Sequence, residues 1–557
     1  MKTECQIDCG TQGIYFGCCT TLELSMNDQK ADLIIIGGGV GGCAAAIAAA
    51  RMGRSVIMTE ETDWIGGQLT SQAVPPDENK WIETHGGTKT YQDYRSRVRD
   101  YYRRNYPLTD EARANEKLNP GGGGVSALCH EPRVSVAVLN EMLAPYISNG
   151  RVIILLEHKA IAADTEGDRV RNVTVHDIRN NAQRTLHGAY FIDATECGDL
   201  LPLTKTEYVT GAEGKSDTDE LHAPDAAQPQ NMQAFTCCFA MEFCPGEDHT
   251  IHKPEDYTFW RDYVPQLRPP WTGHLLSWED THPVTLQPRL SKFDPAATKR
   301  ADMGRWNYRR IQAPENFMPG FCKGGITLVN WPQNDYWLGN LYEVSAEESA
   351  KHLRSGKQLS LSLLYWLQTE APRADGSTGW KELRLRPDHM GTADGLAKYP
   401  YIRESRRIKA EFTVLEHHVG KAARQIFTGE NCEECKAEFF PDSVGIGYYR
   451  IDLHPSSGGD NYIDVDSMPF QIPLGALIPK RVENLLPACK NLGTTHITNG
   501  CYRLHPVEWN IGESAGVLAA WCIDKNQSPR AVRANAESLT AFQRMLESFG
   551  VRLSWPA

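Results

Sequence analysis

Hydrophobic and polar positions along the chain fall into two periods. Leu33 to Ile36 is a continuous apolar run of strand length, followed at once by a glycine turn. Cys43 to Met52 is built of small residues and predicts a helix, ended by Gly53, and Ser55 to Thr59 predicts the next strand. Val152 to Leu156 is again strand-like. From Lys159 to Thr195 short alternating runs are separated by turn signals at Glu166-Gly167-Asp168 and Arg179-Asn180-Asn181. That pattern predicts a three-stranded meander returning into a buried strand, Tyr190 to Ile192. Val482 to Ala488 predicts a further strand and Asn510 to Asp524 a helix with small residues near its start. Helical periods are also read at Tyr91 to Pro107, Ser360 to Glu370 and Glu404 to Gly420. Gly121 to Gly124 is expected to be a flexible loop, and 211–230 a polar loop and candidate lid.

These elements predict an α/β protein. A discontinuous Rossmann-like domain takes 31–75, 125–205 and 470–525. It carries a helical insertion at 76–124 and an inserted α+β cap at 206–469, rich in Trp, Tyr, His and Pro. Residues 1–30 read as an extension, with Met26 an alternative start, and 526–557 as a helical tail.

The stretch Ala31 to Glu60 carries the sharpest chemical signal. Gly37, Gly39 and Gly42 fill the G-x-G-x-x-G pattern between a strand and a helix. Gly37 permits the tight turn, Gly39 lets the backbone approach a pyrophosphate, and Gly42 allows close helix–strand packing. The helix N-terminus offers N–H groups and a positive dipole end to phosphates. Glu60 stands where a carboxylate accepts from a ribose hydroxyl pair. A dinucleotide is therefore expected. Gly66 and Gly67, with Gln68 behind them, supply a second glycine turn just past the acidic strand, which favours a flavin dinucleotide over NAD.

Asp193-Ala194-Thr195-Glu196-Cys197-Gly198-Asp199 then ends the meander. Here the chain resembles flavoproteins of the glutathione-reductase-like fold, whose second FAD motif is an apolar strand running into D-A-T-x-x-G-D. It also resembles a group of FAD-dependent oxidoreductases in Asp193 to Leu203, Leu328 to Asn340 and Asn484 to Glu513. The resemblance runs from about Ala31 to the end and implies a fold and a cofactor, FAD, but no substrate. It adds Ala160, Asp193 and Asp199 to the cofactor residues. It also implies that the last helix points its N-terminus, with Asn510 and Gly512, at the flavin pyrimidine.

Charge and composition narrow the partners. The net charge of −12 disfavours nucleic acid. No apolar run is long enough to span a bilayer, and the N-terminus lacks a secretory apolar core, so a cytoplasmic protein is expected. Sixteen scattered cysteines then read as reduced thiols rather than disulfides. Cys432-x-x-Cys435 has no partner pair at zinc spacing, and Cys5, Cys9, Cys18 and Cys19 read as surface thiols, so no metal is expected. The oligomeric state is left open.

A second strand–glycine–helix unit is absent, so no NADPH site is expected, and electrons should come from a small polar organic substrate with a C–OH or C–N bond. They would leave to O2, a quinone or another acceptor. The rival functions are a redox-neutral flavoenzyme and an electron-transferring subunit. The loop Thr495 to Trp509 is expected to wall the active site, with His505 or His496 as base, Arg503 as anion or flavin clamp, and Glu508 beside them. The alternative is that these residues only brace the loop. Asn330 to Trp337 suits either a ring-bearing polar substrate or a cap hinge. Arg450, Asp452 and His454 share one strand face, in the pocket or in a surface salt-bridge row.

Overall fold

The computed structural model describes residues 28–429 and 435–556. Cys5, Cys9, Cys18, Cys19, Met26 and Cys432 lie outside the described residues.

The apolar runs assemble as a parallel sheet. Strands β2 (Leu33–Ile36), β3 (Val56–Glu60), β4 (Val152–Leu156) and β8 (Tyr190–Asp193) join Leu485–Pro487 in the order Leu485–Pro487, β8, β2, β3, β4. Ile36 pairs with Thr59 and with Asp193, and Pro487 also pairs with Asp193. The C-terminal strand ends thus carry the glycine turn, the acid and the D-A-T segment side by side. That edge is where ligands bind in open parallel sheets.

The meander is β5 (His158–Glu166), β6 (Arg169–Asp177) and β7 (Ala182–His187). Within the stretch expected to be an extension, Asp28–Lys30 forms β1 and extends this sheet in parallel with β7. Its side chains Val170, Val173, Val175 and Leu186 pack with Ile34 and Ile57 of the parallel sheet.

Helix α1 (Val40–Arg51) is buried on all but its last residue because it lies between the sheet and the long helix His505–Lys525. Small residues make this contact close. A Cβ on Gly512 would fall 2.1 Å from the Gly41 carbonyl oxygen, and one on Gly516 would fall 2.5 Å from that of Ala45. Helix α2 (Lys89–Asn105) confirms the helical period read in the insertion, and buries Tyr91, Tyr94, Val98 and Tyr102.

The cap has its own core. Four antiparallel strands, in the order Arg310–Gln312, Ile326–Val329, Phe239–Phe243 and Leu383–Leu385, form its sheet. The helix Ala346–Thr369 is longer than its apolar centre suggested, and a cluster of Trp278, Phe293, Trp306, Trp331 and Trp380 fills the interior. Two sequence expectations fail here. Glu404 to Gly420 is not one helix: it holds a strand, Arg407–Ile408, and a short helix, Glu416–Val419. Its period served instead to bury Ile408 and Ala410 under the meander. The Gly121–Gly124 stretch is packed rather than loose, since a Cβ on Gly121 would fall 2.0 Å from the Arg310 carbonyl oxygen. Among the described residues no helix is long and apolar enough to cross a membrane.

Candidate active site

The glycine turn between β2 and α1 forms the floor of a groove. Gly37 takes φ +98°, and a Cβ there would fall 2.2 Å from the Ala194 carbonyl oxygen, so only glycine fits. Gly42 packs α1 onto the turn, its missing Cβ lying 2.1 Å from the Gly37 carbonyl oxygen. The second glycine turn closes over the first. Gly66 (φ +110°) donates to the Gly38 carbonyl oxygen at 2.7 Å, and a Cβ on Gly67 would fall 2.9 Å from Gly39 Cα. Gly37, Gly39, Glu60, Gly67, Ala160 and Asp199 all line this groove, with Thr59, His158, Lys159, Glu196 and Tyr399.

Glu60 is buried at the end of β3. Its Oε2 accepts from the Gly38 N–H at 3.1 Å, and its Oε1 accepts from the Thr62 N–H at 2.9 Å and hydroxyl at 2.8 Å. Burial outweighs these donors and pushes its carboxyl up to about 7. Asp193 lies under the groove rather than in it. Its carboxylate accepts from Thr195 and from the Leu200 N–H, shaping the loop above, and burial pushes it up to about 7 as well.

Glu196 follows Thr195 in the loop after β8. Its carboxylate comes within 3.1 Å of where a Gly39 Cβ would sit and is ion-paired with the wholly buried Lys490. Lys490 also lies 3.6 Å from Glu508. Glu508 accepts from the Gly41 N–H at 3.2 Å, in the first turn of α1, and from the Gln68 amide. Gln68 donates to the Arg503 carbonyl oxygen at 2.9 Å. Gln68 and Glu508 therefore bind the helix His505–Lys525 to the glycine turns and are not in the groove. Asn510 and Gly512 are also displaced from the expected position. The helix begins at His505, not Asn510, so Asn510 is a turn further in and bonds Val444 and Ile446. Gly512 serves the helix contact described above.

The segment expected as a loop is two helices, His496–Tyr502 and the start of His505–Lys525. His496 Nδ1 is 2.9 Å from both Glu404 oxygens. Although burial opposes it, Glu404 raises the His496 imidazole above its ordinary value. His505 is fully buried and uncharged, its imidazole pushed down to about 3 by burial. Its Nδ1 accepts from the Asp77 N–H at 3.0 Å, which places the ring proton on Nε2. That Nε2 is buried without a partner among the described residues, as are Gln72 Nε2, Thr494 Oγ1, Asn499 Oδ1 and Glu196 Oε1. Buried polar atoms are otherwise paired. These orphans come from the segments that meet at the sheet edge, and they fit a polar ligand continuing from the groove.

Neither histidine reaches open space. A chamber of about 520 Å³ lies in the cap and is lined by Arg305, Tyr308, Arg309, Asn330, Tyr449 and Tyr462, with Arg450, Asp452, His454 and Asp464. The shared face of Arg450, Asp452 and His454 thus belongs to a cavity. Arg503 joins this chamber to the last-helix segment. It donates to the Asp452 carboxylate at 3.1 Å and to the Tyr401 hydroxyl at 3.0 Å. Despite burial, His454 and Arg503 hold the Asp452 carboxyl well below its ordinary range. Arg309, whose guanidinium pairs with Asp77 at 3.1 Å, and Tyr308 come from the far side of the cap, and no motif marked them in the sequence.

Parts of the chain are similar to known proteins. The FAD-dependent monooxygenase atnJ of Arthrinium sp is 39% identical over 54 residues, 10% of this chain and 13% of that protein. A mitochondrial dihydrolipoyl dehydrogenase of Caenorhabditis elegans is 33% identical over 98 residues, 17% of this chain and 20% of that one. The chain thus spans a fifth or less of the length of these curated relatives. A glycerol-3-phosphate dehydrogenase from Bacillus halodurans, solved with FAD, is 12% identical with a TM-score of 0.21, over 39% of this chain and 40% of that one. The family model described as FAD dependent oxidoreductase matches residues 32–546. With its glycine turns, buried acid and cap chamber, the chain belongs to the FAD dependent oxidoreductase family and binds FAD.

Proposed function

We propose that the protein oxidises a small polar organic molecule at a C–OH or C–N bond inside the cap chamber, and passes the electrons to O2, a quinone or another acceptor. The observation that carries this is the chamber. Its volume of about 520 Å³ falls in the range of about 300–1,000 Å³ typical of small-molecule sites. It is tied by Arg503 to the segment beside the FAD groove. An electron-transferring subunit has no need of such a cavity.

FAD supplies the two-electron acceptor when bound. In this reading Gly37, Gly39 and the α1 N-terminus take its pyrophosphate, and Glu60 its ribose. Ala160 and Asp199 flank its adenosine side, and Gly66 and Gly67 its ribityl side. Lys490 neutralises Glu196 beside the phosphates. The Nε2–H of His505 is a donor toward the flavin, so this histidine positions the cofactor and is not the base. His496 holds Glu404 in place. The compartment we assign is the cytoplasm, in keeping with cysteines scattered along the chain rather than spaced as a disulfide framework.

Anaerobic mixing of the yellow protein with candidate substrates tests the reading. A true substrate bleaches the flavin stoichiometrically. If dithionite bleaches it and no organic donor does, the protein is a redox-neutral flavoenzyme or an electron carrier.

A further inference from the structure

His454 differs from the other histidines near the site, because its ring lines the chamber and is held by carboxylates. Its Nδ1 is 2.6 Å from Asp335 Oδ2, and its Nε2 is 3.6 Å from Asp452 Oδ2. The Tyr462 ring packs against it edge-on at 5.6 Å. Asp335 is wholly buried, and its other oxygen accepts from Arg403 at 2.9 Å and from the Thr236 hydroxyl at 2.5 Å. Burial alone would raise the Asp335 carboxyl, but Arg403 and His454 hold it below its ordinary value. An ionised Asp335 can only accept, so His454 donates its Nδ1–H to it, and Nε2 turns to the chamber wall opposite Asp452. Asp452 lies beyond hydrogen-bond distance and can stabilise an imidazolium once formed. This base–orienter arrangement is the geometry of a proton acceptor.

The chamber walls also speak to the substrate. Arg305 Nε, Arg309 Nε and Asn330 Nδ2 are buried donors without partners among the described residues, and the Tyr462 hydroxyl is likewise unpaired. Donors outnumber acceptors among these orphans, and the rings of Tyr308, Tyr449 and Tyr462 give flat apolar faces between them. The cations are largely balanced by Asp280, Asp77, Asp464 and Asp466, so a strongly anionic ligand is not required. An oxygen-rich molecule with ring faces satisfies such walls.

We propose that the chamber takes a polyhydroxylated carbinol of the sugar or sugar-acid class, and that His454 Nε2 accepts its hydroxyl proton while Asp335 positions the ring. The O–H bond breaks toward Nε2. The hydrogen on the same carbon leaves with its electron pair to bound FAD, and a carbonyl forms. This rests on the chamber being the substrate site. Asp335 and Asp452 lie against His454, with Asp464 beyond them.

The test mixes anaerobic holoenzyme with millimolar aldoses, alditols, uronic acids and primary amines, for wild type, His454→Gln and Asp335→Asn. Flavin content and melting temperature are measured in parallel. A substrate-free arm follows carbethoxylation of His454 by diethyl pyrocarbonate, read by peptide mass spectrometry. We expect bleaching by at least one polyol, slowed about 10²–10⁴-fold in His454→Gln with flavin retained. Carbethoxylation should be slower in Asp335→Asn, because an asparagine amide donating to Nδ1 moves the ring proton to Nε2. Bleaching by amines and by no polyol would overturn the substrate class alone. Equal rates in wild type and His454→Gln, or carbethoxylation unchanged in Asp335→Asn, would overturn the role of His454. Bleaching by no donor at all would remove the reading of the chamber itself.

Discussion

Lowering the pH from 8 to 6 should weaken FAD binding about tenfold through Glu60 alone. The carboxylate has roughly four lone-pair sites. Gly38 and Thr62 already take three of them in the folded protein. A proton on Glu60 removes the acceptor that remains for a ribose hydroxyl. Burial places that protonation at about 7. If only the ionised form binds, the apparent Kd is multiplied by 1 + 10^(7−pH), or about 1.1 at pH 8 and about 11 at pH 6. A tenfold change is about 1.4 kcal/mol. The sign for the free protein is opposite. A buried acid raised from 4.5 to about 7 favours its neutral form in the fold. It therefore costs the apoprotein stability as pH rises through that window, and FAD reverses this by binding the anion. Fluorescence titration of apoprotein with FAD at several pH values reads the slope. Glu60→Gln should bind weakly at all of them with a flatter slope. Any slope left in that variant is assigned to Asp193, which titrates near the same pH. Affinity that is flat or improves on acidification in the wild type, or an equal slope in Glu60→Gln, would refute the reasoning.

Three further outcomes are expected. Lys490→Met leaves the buried Glu508 and the partly buried Glu196 without their cation, and chemical denaturation should show a loss of about 3–5 kcal/mol. Unchanged stability would mean that one of the two acids is already neutral. Gly512→Ala places a Cβ 2.1 Å from the Gly41 carbonyl oxygen, so the helices must separate; a loss of about 1–3 kcal/mol and lower flavin content should follow, whereas full flavin content would show that the contact is not needed. NADH or NADPH alone should not reduce the flavin rapidly in stopped-flow mixing, since the chain carries one strand–glycine–helix unit; fast reduction would reveal a nicotinamide site elsewhere.

The nucleotide groove was legible because its chemistry is local. Gly37, Gly39, Gly42 and Glu60 stand in one continuous stretch whose hydrophobic period declares strand, turn, helix and strand. The meander was legible for the same reason. Asp193 announced the right segment and the wrong layer, because a motif does not say which side of a loop a carboxylate faces. The last helix was misjudged at its start. His505-Pro506 opens it, since proline suits the first turn, and this turn of extra helix carried Asn510 and Gly512 away from the cofactor edge. His496 and His505 were attractive as isolated histidines. Their fate was decided by Glu404 and Asp77, which lie 92 and 428 residues away and are invisible to spacing. Asp335 and His454 were in marked segments, but their pairing across 119 residues could not be read before the cap was assembled.

The close approach of α1 to the last helix bears on when this protein becomes an enzyme. Gly41 and Glu508, whose hydrogen bond links the two helices, are 467 residues apart. Loop-closure cost grows only slowly with length, so the separation is cheap at equilibrium. On the ribosome it is decisive. At about 5–20 residues per second, roughly 25–95 s pass between the emergence of the glycine turn and that of the helix beside it. During that interval the nascent glycine turn has no wall on that side, and the apolar face of α1 lacks its cover. Flavin capture therefore waits for the helix His505–Lys525, and chains truncated before it should emerge colourless.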